Sequence, residues 1–169
     1  MQIIPAILTR FSATSFDSEK LHLETVNRIV EAGRFAPSAK NRQEWRFVVV
    51  REPDMINKLA DAAFRAEVIV SASALIATCT TNIDYRMPNG QLSYPVDMGV
   101  ATAFMLVQAA HEGVGSCTIT TYDEQEVKDL LSIPHAMRVV TMIALGYNKL
   151  ADQVRNRKSF TDVVAYEHW

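Results

Sequence analysis

The chain has 169 residues and a formal net charge of −2, with 49% hydrophobic and 21% charged residues. This length suits a single domain, which on folding buries roughly 70% of the surface that the unfolded chain exposes. The composition is typical of a globular protein and argues against disorder. Because the net charge is small, there is no electrostatic reason to expect a nucleic acid as a partner. Any bound anion must be held by a few local positive groups.

The cysteines and histidines indicate neither a metal site nor a hydrolytic site. Cys79 and Cys117 form no CxxC pair, so we expect two reduced thiols in a cytosolic protein. The four histidines are scattered, and the chain has no HExxH or GxSxG motif. It also has no run of 18 uncharged apolar residues and no signal-peptide pattern at residues 1–16, so we expect no membrane span and a cytoplasmic location.

The first half of the chain is predicted to contain three helices and two strands. The signals for the helices are a proline in a first helical turn and polar capping residues. The signal for a buried strand is the apolar run Phe47–Val50. Residues 82–95 hold Pro88, Gly90 and Pro95 and are expected to form a mobile flap without regular structure. The predicted elements are helices at 5–10, from a cap at Asp17 or Ser18 to about Gly33, and from Asp54 to about Phe64, with strands at 45–51 and 74–79.

The second half contains the longest helical pattern, at 95–112, which is apolar on nearly all sides. Such a helix must be covered on all sides, and at 1.5 Å per residue it is about 27 Å long. We therefore expect a partner subunit to cover it. A capping box at Asp123 and Glu126 predicts a helix that ends at Pro134, and a strand follows at 138–145. The alternation of helices with three or four strands predicts an α/β or α+β layer fold.

The first polar cluster is the segment that contains Arg10, Ser12 and Thr14. In an extended chain, alternate side chains point to the same side. One guanidinium and two hydroxyls together suit a phosphate or a polyol. A solvated loop after a helix is the alternative.

The second cluster is the loop Ala36–Trp45, in which Pro37 and Ser38 favour a turn. The amides of Asn41 and Gln43 match a heterocycle edge that bears C=O and N–H groups. A polar connecting loop is the alternative interpretation of this segment.

The third cluster, 113–121, contains a G-x-G sequence after a helix. A dinucleotide fingerprint must follow a strand, so we expect these glycines to end the helix and turn the chain into a strand. The basic stretch 155–158 resembles an ordinary solvated charge run when taken alone. A chain without an evident acid, base or nucleophile can still be an enzyme if a cofactor supplies the chemistry.

Taken in order, these clusters resemble the nitroreductase family. Its R-x-S-x-(R/K) segment followed by an aromatic residue is matched at Arg10–Phe16, and its A-P-S-x-x-N-x-Q-(P/E)-W motif at Ala36–Trp45. The remaining matches are the start and the G-x-G-(S/T) exit of the long helix, a G-Y pair, a basic stretch and an aromatic end: Asp97, Gly99, Gly113–Ser116, Gly146-Tyr147, Arg155–Lys158 and Trp169.

The resemblance implies one α+β domain over residues 1–169, in three α/β/α layers. It implies a mainly antiparallel sheet of four to five strands flanked by helices, with the long buried helix at a homodimer interface. The implied activity is FMN-dependent transfer of hydride from NADH or NADPH to small organic acceptors such as nitroaromatics and quinones, by a ping-pong mechanism. No catalytic side chain is implied. The alternatives are a non-catalytic FMN-binding or ligand-binding module and a dehalogenase-like member of the same superfamily.

The resemblance also implies roles for individual residues. Arg10, Ser12 and Arg157 would hold the phosphate and ribityl chain, and Arg155 would assist. The backbone of Thr118, Ile119 and Thr120 would lie against the ring, with the Thr120 N–H near N5. The residues that would cover the flavin from the partner subunit are Pro37, Ser38, Ala39, Asn41 and Gln43.

Thr14 departs from the family pattern, because a basic residue is usual at that position near the N1/O2 edge of the flavin. A cation there raises the flavin potential. We therefore expect a more reducing flavin or weaker FMN retention, unless Arg65 supplies the missing positive charge. Arg65 lies in the loop after the predicted helix at 54–64. Tyr85, Met87 and Tyr94 are candidate lid residues over the substrate slot.

Overall fold

The structure is a computed structural model that describes residues 2–148 and 156–169. Its elements alternate between helices and strands, and the α+β prediction is confirmed. The helices are α1 (Pro5–Thr9), α2 (Leu23–Arg34), α3 (Pro53–Ala62), α4 (Glu67–Val70), α5 (Tyr94–His111), α6 (Glu124–Leu131) and α7 (Phe160–Val163). The strands are β1 (Trp45–Val50), β2 (Ala74–Thr80), β3 (Gly115–Ile119) and β4 (Arg138–Gly146).

The strands form a four-stranded sheet in the order β1-β2-β4-β3, with antiparallel pairing throughout. Successive side chains of a strand point to opposite faces. Leu75 of β2 therefore packs in the cluster that includes Leu59 of α3. Ile76 packs in the cluster that includes Met105 of α5. Helices thus cover both faces in three layers, and β1 and β3 are the two edges of the sheet.

Helix α2 begins at Leu23, so the predicted cap at 17–18 is wrong. The preceding residues are held by hydrogen bonds to the segment before β2. The N–H of Leu21, for example, donates to Ser73 Oγ at 2.7 Å. Because tertiary hydrogen bonds keep this segment extended, the helix forms only after it.

Gly33 does not end α2, which continues to Arg34. Its role is close packing against α5, because a Cβ added at Gly33 would lie 2.8 Å from Met105 Cγ. The other predicted helix end, Pro134, also differs from the structure. Helix α6 stops at Leu131, and Ser132 follows with φ of 54°.

The segment 82–95 is more ordered than predicted. Arg86 and Leu92 form an antiparallel bridge, and Met87 N donates to Gln91 O at 2.8 Å. The prediction that this segment lacks regular structure is therefore wrong, because backbone pairing closes it into a small hairpin. Its role as a lid remains a prediction.

Helix α5 is covered on one side within a single chain. Met98 and Met105 are buried against the sheet, whereas Val96 and Phe104 are 48% and 42% exposed. The aromatic side chains of the tail are also exposed, including Trp169. No helix in the described part of the chain is long and apolar enough to cross a membrane.

Candidate functional site

The edge strand β3 begins at a glycine turn. Gly113 has φ of 71°, a left-handed conformation that glycine adopts without steric cost. This turn ends α5 and leads into β3 at Gly115, as the G-x-G pattern predicted. The chain therefore passes from the long helix directly to an open sheet edge.

The first polar cluster lies beside the start of this strand. Ala13 N donates to Ser116 O at 3.0 Å, and Ser12 forms a parallel bridge with Ser116. Ala13 is buried, whereas Ser12 and Thr14 are exposed. The predicted alternation of this segment is therefore present in the structure.

Arg10 lines a cavity of about 260 Å³ between this segment and the turn at 113–116. The residue is half-buried, and its guanidinium makes no hydrogen bond or ion pair with any described residue. A partly buried cation without a carboxylate is well suited to an anionic ligand. The donors present at this end of β3 fit a phosphate group.

A second cavity, of about 350 Å³, lies at the other end of β3. The residues 118–121 form one wall, and the turn at 63–66 forms the other. Phe64 and Arg65 have φ values of 57° and 55° in this turn, a conformation that side-chain-bearing residues rarely adopt. The Arg65 guanidinium forms an ion pair with Asp61, so much of its charge is already balanced.

The second polar cluster forms a tightly bonded loop before β1. Ser38 Oγ accepts from Gln43 N at 2.9 Å, and Gln43 Nε2 donates to Asn41 Oδ1 at 3.1 Å. Ala39 N donates to Asp97 Oδ1 of α5 at 2.9 Å. The loop conformation is thus fixed by its own side chains and by α5.

The two halves of the predicted site lie on opposite edges of one sheet. The segments 10–14, 63–66 and 118–121 meet around β3, whereas Pro37–Gln43 precedes β1. Three strand spacings separate these edges by about 14 Å. Within one chain, the structure does not bring the two halves together.

The basic residues of the tail are only partly described. Arg157 is exposed, and its Nη1 donates to Asn156 O at 2.9 Å. Arg155, the assisting residue of the prediction, lies outside the described residues. Within the described part of the chain, residues 156–169 form hydrogen bonds only with one another.

A cluster that the sequence reasoning missed links α6 to β4. Glu124 forms ion pairs with Lys128 at 3.0 Å and Arg138 at 2.9 Å, and it accepts from Val139 N at 3.0 Å. Burial raises the pKa of Glu124, but these hydrogen bonds outweigh it and hold the pKa below its usual value. The i, i+4 spacing of Glu124 and Lys128 was a usable signal, whereas the contact with Arg138 needed the tertiary structure. The cluster borders a cavity of about 330 Å³ that reaches Thr120.

Neither thiol has the properties of a reactive group. Burial raises the pKa of Cys79 to about 11, and burial also raises the pKa of Cys117. Thiolates, the reactive form, are therefore scarce at neutral pH. Within the described ranges, no group of histidine, cysteine and acidic residues could hold a metal ion.

This fold is that of the nitroreductase class. A nitroreductase family protein from Clostridium difficile 630 superposes with a TM-score of 0.86 at 23% identity, over 100% of both chains. An FMN-dependent nitroreductase from Clostridium difficile R20291 superposes with a TM-score of 0.81 at 19% identity, over 99% of this chain and 100% of the other. At these identities the similarity establishes the fold.

Sequence comparison establishes the family. The Nitroreductase family model matches residues 7–82 and 63–147, and the chain belongs to this family. A relative from Archaeoglobus fulgidus, provisionally named an NADH dehydrogenase/NAD(P)H nitroreductase, is 32% identical over 157 residues. The match covers 88% of this chain and 86% of the relative.

Proposed function

We propose that this protein is a homodimeric, FMN-dependent oxidoreductase that oxidises NADH or NADPH and reduces small organic acceptors such as nitroaromatics or quinones. The observation that carries the proposal is the half-buried Arg10 guanidinium. It has no partner among the described residues and lines a cavity beside β3 in a member of the nitroreductase family. The phosphate of FMN would be the anion that this guanidinium binds.

The first half-site is the free edge of β3. An edge strand presents backbone N–H and C=O groups without ladder partners. In this proposal, Arg10, Ser12 and Arg157 hold the phosphate end, and the backbone of 118–120 lies along the ring. The two cavities at the ends of β3 support this orientation.

The second half-site is the loop Pro37–Gln43 of the partner subunit. In the loop, Asn41 Oδ1 accepts from Gln43 Nε2, which leaves Asn41 Nδ2 as a donor toward a heterocycle edge. The exposed apolar side of α5 supports the dimer, because neighbouring apolar side chains exposed on one face of a helix are typical of an interface. Two copies would each complete the other's site.

The chain's own residues act by orientation and exclusion of water. When bound, FMN would supply the hydride-transfer and electron-transfer chemistry, so no side chain of this protein need act as acid or base. In this proposal the backbone of 118–120 fixes the position of the ring, and the hairpin at 86–92 would cover the slot over the ring in which the nicotinamide and the acceptor stack. Both substrates would use this slot in turn, which gives ping-pong kinetics.

Purified protein tests the proposal directly. We expect bound FMN in the absorption spectrum and oxidation of NAD(P)H with menadione or a nitroaromatic acceptor. Arg10→Ala should weaken FMN binding by about 1.5–3 kcal/mol, the usual contribution of hydrogen bonds to a charged group. Lys58→Gln, an exposed substitution on α3, should leave FMN binding unchanged.

Two results would contradict the proposal. Absence of FMN from protein that is folded would remove the cofactor assignment. Full FMN retention in Arg10→Ala would remove the phosphate site. FMN retention without turnover by any pyridine nucleotide would favour the binding-module alternative.

A further inference from the structure

Two cations converge on one aromatic ring beside the proposed flavin-covering loop. Lys40 Nζ lies 5.4 Å from the centroid of the Tyr85 ring, and the guanidinium carbon of Arg42 lies 4.0 Å from it. Both residues lie in the loop Pro37–Gln43, but neither is among the five residues of that loop proposed to cover the flavin. This cluster could not be predicted from sequence spacing, because Tyr85 lies in a segment far from Lys40 and Arg42 along the chain.

No acidic group neutralises this pair in the described structure. Neither Lys40 nor Arg42 takes part in an ion pair with a described residue. The carboxylate of Asp97 accepts from Ala39 N, and Asp84, next to Tyr85, is exposed. Both cations therefore place positive charge beside the same ring, and both side chains are exposed to an incoming anion.

The backbone holds Tyr85 in place and gives Lys40 an unusual conformation. Tyr85 is anchored because its N–H donates to Asn82 Oδ1 at 3.2 Å and its carbonyl accepts from Ser93 N at 3.0 Å. Lys40 holds a φ of 54°, which is costly for a residue with a side chain. A charged residue that is held at a fixed position in a strained backbone conformation is typical of a ligand site.

We propose that Lys40 and Arg42 bind the 2′-phosphate of NADPH, so that the enzyme prefers NADPH to NADH. A phosphate monoester carries a charge of about −1.5 to −2 at neutral pH, which matches two cations. Arginine offers a fork of donors and lysine a point charge. NADH lacks this phosphate. The inference rests on the proposed function, in which the nicotinamide stacks on the flavin and the adenosine ribose, which carries the 2′-phosphate, extends away from the ring toward the exposed side of this loop.

The test compares donors and variants in the flavin-loaded protein. We expect kcat/KM for NADPH to fall at least about tenfold in Lys40→Gln/Arg42→Gln, the usual effect of lost charged hydrogen bonds. The kcat/KM for NADH should change by less than about twofold, because NADH makes no contact of this kind. Lys58→Gln, which removes one positive charge from α3, is the control and should leave the ratio unchanged.

Calorimetry with 2′,5′-ADP supplies a readout independent of turnover. This probe should bind the wild-type protein more tightly than 5′-ADP, and the double variant should lose the difference. Equal changes for NADPH and NADH, no change for either, or a change confined to acceptors such as 4-nitrobenzoate would each overturn the inference. If the wild-type protein holds no FMN, the proposed function fails, and binding of 2′,5′-ADP still decides the phosphate site.

Discussion

At the scale of single residues, Thr14 stands where the resemblance to the nitroreductase family implies a basic residue. Its side chain is exposed in the segment 10–14, and Arg65, the residue expected to compensate, is already paired with Asp61. A cation near the N1/O2 edge favours the more negative, reduced flavin. We therefore expect Thr14→Arg to raise the flavin potential.

Redox titration of the FMN-loaded protein measures this change. Thr14→Gln adds a side chain of similar polarity without charge and should leave the potential close to that of the wild type. An unchanged potential in Thr14→Arg would show that residue 14 does not face the ring edge.

Gly146 at the end of β4 makes a different kind of prediction. A Cβ there would lie 2.6 Å from Phe16 Cγ, so Gly146→Ala should overpack this contact and lower the free energy of unfolding by about 1–3 kcal/mol. Chemical denaturation measures this loss in the free energy of unfolding. In a Phe16→Leu background the cost should be smaller, because the two residues are in contact. Equal costs in both backgrounds would exclude the clash.

At the scale of elements, α6 is joined to β4 through Glu124. Lys128 is 7% exposed and depends on this carboxylate for charge balance. Glu124→Gln should therefore lower the free energy of unfolding by about 2–3 kcal/mol, somewhat less than a fully buried pair because Glu124 is partly exposed. Lys128→Met should cost less, since Glu124 keeps Arg138. The double variant should recover part of the loss in urea denaturation, and no recovery would refute the coupling.

The same contact has a defined pH dependence. The folded-state pKa of Glu124 lies below its usual value of 4.5, so its contribution is fully present above pH 4.5 and is lost as the pH falls through the folded-state value. The stability difference between wild type and Glu124→Gln should accordingly shrink below pH 4.5. A difference independent of pH would point to packing instead of charge.

The elements that the sequence predicted well are those with a strong local pattern. Helix α5 and strand β1 have long apolar runs, and these runs predicted where both elements lie. They predicted burial less well, because β1 is an edge strand whose Phe47, Val48 and Val49 are only half-buried. The start of α2 was missed because hydrogen bonds from distant residues keep 16–21 extended. The same reason applies to the site: the family motif predicted roles for Arg10 and Ser12, whereas the contacts of Ser12 with Ser116 and of Lys40 with Tyr85 depend on how distant segments meet.

At the scale of the whole molecule, two observations point to the same assembly. The halves of the proposed site lie at opposite edges of the sheet, so one chain does not bring them together. The outer side of α5 carries an apolar stripe at helical spacing that one chain covers only in part: Val96 and Phe104 are exposed, and Val100 and Val107 are half-buried. A second copy on this stripe would remove apolar surface from water and supply the missing loop.

The dimer is tested by placing a charge in that stripe. Phe104→Arg should make the protein monomeric, as measured by light scattering, because an unpaired charge is costly to bury in the interface. The variant should also release FMN, because each flavin needs both chains. Val70→Glu is the control: Val70 is 41% exposed on α4, on the other face of the sheet, and its substitution should leave mass and FMN content unchanged. A Phe104→Arg dimer with full FMN content would show that α5 is not the interface. A wild-type monomer that retains FMN would show that one chain completes the site alone.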